Sequence, residues 1–147
     1  MSLYEQLERA KQWLLSLLPK IMPQTKLSQF AKAIQTHEGY FKGSRSYRNN
    51  NPANFRSTPY TKALGETGKD PQGFCIFPSY VVGFNALKTF LQDACSDRLK
   101  RYRGTMTLYE FFEVYAPSSD DNNPHQYADF VVKYIGIPTD TQIKSFL

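Results

Sequence analysis

Apolar residues recur at spacings of three and four over several stretches of the chain. In residues 3–18, Leu3, Leu7, Ala10, Leu14, Leu17 and Leu18 form one such series, and Pro19 and Pro23 interrupt it. This predicts an N-terminal helix over residues 1–23. It is expected to pack as an arm on the main domain, with a partner-binding helix as the alternative. A second series, Leu27, Phe30, Ala31 and Ile34, predicts a helix over 27–38, with Thr25 or Ser28 to cap its start and Gly39 to end it. Further helical patterns cover 79–93, 107–115 and 125–135, and one more turn is expected within 141–146. Thr107 and Glu110 have capping-box spacing. Between the helical stretches, residues 43–73 are rich in Gly, Ser, Asn, Pro and Thr, which is turn chemistry. Two short strands are expected near it, at 54–57 and 73–77. Fold class is therefore mainly α (α+β), with a small β-hairpin after the second helix.

The period of the second helix also places an acid. Four residues after Ile34 comes Glu38, on the apolar face, where a solvated carboxylate is not expected. Desolvation and the negative end of the helix dipole both favour its protonated form. A carboxyl kept protonated near neutral pH suits a general acid. The same position is also met where a helix frays and its last acid turns to solvent. Just downstream, Arg48, Asn49, Asn50, Asn51, Pro52, Ala53 and Asn54 concentrate amide groups that suit hydroxyls and N-acetyl groups, or that simply shape a turn.

Composition adds limits. At 147 residues the chain can bury a core in one domain, and its 41% hydrophobic and 21% charged content is that of an ordinary globular protein. A formal net charge of +5 favours anionic polymers, among them cell wall and nucleic acid. The densest basic run, Arg98 to Arg103, is short and lacks a recognisable nucleic-acid module, so no nucleic-acid partner is expected. Cys75 and Cys95 make neither a disulfide framework nor a zinc site, although one bridge between them stays open. His37 and His125 lack metal-ligand spacing, and no metal or cofactor is expected. No apolar run reaches the ~20 residues of a membrane span, and the N-terminus does not read as a secretory signal.

Six blocks then occur in order: EGY, SRSYRNNNPANFR, FCIFPSYVVGFNAL, TLYEFFEVYAP, NNPHQYADFV and GIPTDT. Together they resemble a lysozyme-like group of phage and bacterial proteins related to lytic transglycosylases and muramidases, over about residues 30–147. The resemblance implies a lysozyme-like fold for a catalytic domain at 24–147, with the hairpin beside the cleft. It implies Glu38 as general acid, Asn49, Asn51 and Asn54 near substrate, and Tyr115 and Tyr127 lining the cleft, Tyr127 supporting the acid. Ala53 stands where the group carries glycine, so a positive φ there would be strained. The implied reaction is cleavage of the β-1,4 bond between N-acetylmuramic acid and N-acetylglucosamine in peptidoglycan glycan strands.

A hydrolase places a second carboxylate across the cleft, and Glu66 and Asp70 are the candidates. No other acid lies in 39–55, which favours the single-acid transglycosylase. The protein is expected to act as a monomer at the bacterial cell wall, associated with a phage or delivered by a non-Sec route. The alternative is a non-catalytic glycan-binding or virion structural module on the same fold.

Overall fold

The computed structural model describes residues 1–21 and 24–147, with the side chains of 18–21 left out, so Pro23 lies outside the described residues. The described chain is mainly helical with one small antiparallel sheet. The helices are α1 (Leu3–Ile21), α2 (Lys26–His37), α3 (Arg45–Arg48), α4 (Pro59–Ala63), α5 (Tyr80–Cys95), α6 (Leu108–Tyr115) and α7 (Pro124–Ile135). The strands are β1 (Gly68–Lys69) and β2 (Cys75–Ile76). A final 3-10 turn covers Ile143–Phe146.

Helix α2 lies at the centre. It packs against α5, α7 and the C-terminal 3-10 turn, and α6 packs against α7. The predicted stripe explains this: Phe30, Ala31 and Ile34 are fully buried, and Leu27 packs at the edge of the same core. Phe30 meets Phe111 edge-on and stacks on Phe146, so three elements converge on one ring. Thr25 accepts from the Ser28 N–H at the start of α2, and Thr107 and Glu110 form the expected capping box of α6. Gly136 ends α7 at φ 78°, in the left-handed region.

Helix α1 differs from expectation. It continues past Pro19 to Ile21. A proline inside a helix removes one backbone bond, and an exposed helix leaves water to take the freed carbonyl. Its apolar series is not covered: Leu3, Leu7 and Leu14 are 71%, 60% and 57% exposed. The expectation of an arm packed on the main domain is therefore corrected.

The hairpin also differs. Its strands pair Gly68 with Ile76 and Lys69 with Cys75, so the first strand comes from the stretch read as a turn. The segment 54–57 contributes only the isolated bridge Arg56–Phe74. Two short helices escaped the periodic pattern, because four or five residues complete about one turn. Their caps were legible: Ser44 accepts from the Tyr47 N–H, and Thr58 precedes Pro59 at the first helical position. The two cysteines are free and buried, and burial pushes the thiols up to about 11 for Cys75 and about 12 for Cys95. Among the described residues, no helix is long and apolar enough to cross a membrane.

Candidate active site

Helix α2 ends on Glu38. The Glu38 N–H still donates to the Ile34 carbonyl at 2.9 Å, so the helix has not frayed and the side chain keeps the direction of the apolar stripe. Gly39 follows at φ 70°, a conformation an L side chain rarely takes, and turns the chain away from the core. The Glu38 carboxyl lines a groove of about 760 Å³, bounded by the asparagine loop, α4, Phe74 before β2, and the α6–α7 connection.

The carboxyl has few partners. Tyr127, buried on α7, donates its hydroxyl to Glu38 Oε1 at 2.8 Å. Burial raises the pKa of Glu38 above its ordinary value. The Tyr127 hydrogen bond, the Asn54 amide and the Arg45 charge act in the opposite direction. Burial is the largest of these influences. Tyr127 itself is held by rings on two sides: it stacks on Phe112 at 4.1 Å and on His37 at 3.7 Å. Burial pushes the hydroxyls of Tyr115 and Tyr127 well above the ordinary tyrosine range, and the Glu38 charge adds to this, so both remain donors. His37, which the helical period places away from Glu38, thus supports the tyrosine that binds it.

The asparagine loop divides its work. Asn54 lines the groove at φ 54°, and its Oδ1 accepts from Arg45 Nε at 3.2 Å. That bond leaves the Asn54 NH₂ to face Glu38. Asn51 is fully buried. Its amide donates to the Phe55 and Cys75 carbonyls, and its Oδ1 accepts from the Phe55 N–H. Asn49 donates to Asp70 Oδ2 at 2.9 Å and is also buried. Asn49 and Asn51, expected near substrate, do not line the groove: their NH₂ groups tie the loop to the hairpin. Helix α5 clamps the loop from outside, since a Cβ at Gly83 would come within 1.8 Å of the Asn50 carbonyl oxygen.

Ala53 is not strained. The left-handed residues of this loop are Asn50 and Asn54, and asparagine tolerates that region. The Ala53 carbonyl accepts from the Tyr115 hydroxyl at 3.3 Å, which anchors the loop to α6. Tyr115 lines the groove as expected, whereas Tyr127 lies behind Glu38 and reaches the groove only through it.

Neither expected second carboxylate lines the groove. Asp70 accepts from the Gln72 and Phe74 N–H groups and from Asn49, which organises the hairpin turn and lowers its pKa. Glu66 lies against Thr61 at 3.2 Å, with its other carboxylate oxygen buried and without a hydrogen bond. The acid that does line the groove with Glu38 is Asp120, in the 3-10 turn Ser118–Asp120. In the sequence it sits in a polar turn, where no periodicity ties it to Glu38. Arg45, Arg56 and Arg101 also face the groove. Among the described residues, no group of His, Cys, Asp and Glu is arranged to hold a metal ion. No family model, curated protein or solved structure matches the chain.

Proposed function

We propose that this protein cleaves the β-1,4 bond between N-acetylmuramic acid and N-acetylglucosamine in peptidoglycan, on a lysozyme-like fold, with Glu38 as general acid and then base. The observation that carries this reading is a desolvated carboxyl on a groove wall, bound by the hydroxyl of a buried tyrosine. Burial favours the protonated form of Glu38 before reaction. As its proton passes to the glycosidic oxygen and oxocarbenium character develops on the sugar, Glu38 becomes an anion. Tyr127 and Asn54 both favour that anion, so the same site suits both protonation states.

The anion then takes a proton. In a transglycosylase that proton comes from the muramyl 6-hydroxyl, whose oxygen closes on its own anomeric carbon to give a 1,6-anhydro end. This needs one acid, and Glu66 and Asp70 lie away from the groove. Hydrolysis is the second reading, and the place of Asp120 favours it, since a second carboxylate is then available to guide water. The site of action is the bacterial cell wall, reached with a phage particle or by a non-Sec route.

Incubation with purified peptidoglycan and mass spectrometry of the new ends separates these outcomes. Anhydro ends are expected for the transglycosylase. Reducing ends, lost in Asp120→Asn, would indicate hydrolysis. Binding of glycan without any cleavage would leave a non-catalytic module.

A further inference from the structure

The groove wall beside Glu38 carries two guanidinium groups on one aromatic ring. The guanidinium carbons of Arg45 and Arg56 stand 3.5 Å and 4.6 Å from the centre of the Phe74 ring. Phe74 is 8% exposed and held between the bridge to Arg56 and the hairpin, so the platform is fixed. Gln72 joins the two arginines: its side-chain oxygen accepts from Arg45 Nη1 at 3.1 Å, and its carbonyl lies 3.5 Å from Arg56 Nη1. Among the described residues, neither arginine forms an ion pair. Two like charges on one ring repel each other; Arg45 is partly offset by the Glu38 and Asp70 carboxyls, whereas Arg56 forms no ion pair among the described residues. In the groove lining Arg45, Arg56 and Arg101 outnumber the two carboxyls, Glu38 and Asp120. An anionic ligand supplies the missing counter-charge, and the planar guanidinium fork matches a carboxylate.

We propose that Arg45 and Arg56, braced on Phe74, form a carboxylate-binding subsite that selects acid-bearing glycans over neutral glycans with the same β-1,4 backbone. This rests on the glycan-cleft reading above. It deepens that reading by assigning specificity to residues outside the proton-transfer pair. In peptidoglycan the carboxylate comes either from the lactyl ether of muramic acid or from the peptide attached to it. Arg45 also orients Asn54 toward Glu38, so Arg56 is the cleaner probe, since its side chain bonds neither Asn54 nor Glu38.

The test uses the full chain carrying Glu38→Gln, so that ligands bind without turnover. Three ligands are compared by calorimetry: peptide-bearing glycan strands, the same strands with peptides removed by an amidase, and a chito-oligosaccharide of equal length. The acid-bearing strands are expected to bind at least about 10-fold tighter than the neutral oligomer, the effect of one charge-assisted contact. Adding Arg56→Gln removes most of that preference, and Arg56→Lys restores only part of it. Tight binding of both acid-bearing ligands assigns the lactyl carboxylate. Tight binding of the peptide-bearing strands alone assigns the peptide. The proposal is overturned if Arg56→Gln weakens all three ligands equally, if the neutral oligomer binds as tightly as the strands, or if none binds. The cleavage reading fails separately, when wild type binds the strands and generates no new ends.

Discussion

Helices α1 and α2 carry the same signature in sequence, a run of apolar residues at three- and four-residue intervals, and meet opposite fates. In α2 the run is sealed between α5, α7 and the C-terminal 3-10 turn. In α1 Leu3, Leu7 and Leu14 remain exposed. Periodicity reports that a helix has an apolar face; it does not report what covers that face. Covering follows from the rest of the chain, and here Phe111 and Phe112 of α6 and Phe146 of the C-terminal turn pack on Phe30 of α2. The contrast matters for function because α2 ends on Glu38. A rigid, buried helix can hold a carboxyl out of water, and an exposed one cannot.

The sharpest break of this comparison is at Glu38 itself. Glu38→Gln should lower glycan cleavage by about 10²–10⁴-fold, the range for loss of a general acid, measured as release of new glycan ends. Full retention of activity would remove Glu38 from the chemistry. The same variant has a stability signature. Burial raises the folded-state pKa of Glu38 above its ordinary 4.5, so between those two values the folded protein binds more protons than the unfolded chain. The stabilisation from Glu38 is complete below 4.5 and is lost as pH rises through the raised value. Thermal unfolding should therefore find Glu38→Gln more stable than wild type above that window and not below it.

Next in size is the core. Ile34→Ala in α2 should cost about 2–5 kcal/mol in urea unfolding, because the site is enclosed on all sides. A cost under about 1 kcal/mol would mean that α2 is no better covered than α1. Smaller still, Tyr127→Phe should lower activity by roughly 10-fold, the equivalent of one hydrogen bond to a charged group. Because the Tyr127 hydroxyl lowers the pKa of Glu38, its loss should move the alkaline limb of the pH–rate profile upward. An unmoved limb would make Tyr127 a packing residue only. The smallest effect belongs to α1: Leu14→Ala should change unfolding free energy by no more than about 0.5 kcal/mol. A larger loss would show that α1 is covered in solution.

Legibility in the sequence followed the physics of each element. The buried stripe of α2, its continuation to Glu38, the stop at Gly39 and the capping box of α6 were all readable, because each depends on local spacing or on one backbone requirement. The roles of the asparagines were not. Asn49, Asn51 and Asn54 are chemically identical, and only the fold decides that two of them bind the hairpin and one faces the acid. Asp120 and the arginine pair were hidden for the same reason. Each comes to the groove across many residues of chain, and that convergence leaves neither a period nor a motif. The hairpin slipped because strands of two residues are too short to alternate visibly.

The left-handed backbone at Asn54 has a further consequence. The residue that lets the loop turn is also the residue whose amide faces Glu38, so shape and chemistry share one position. Most replacements there would change both at once, and a loss of activity would not say which had failed. Glycine keeps the turn while removing the amide without adding a charge. Position 54 therefore offers little freedom for the loop to drift gradually toward another substrate, and a new specificity is more readily reached through the neighbouring arginines.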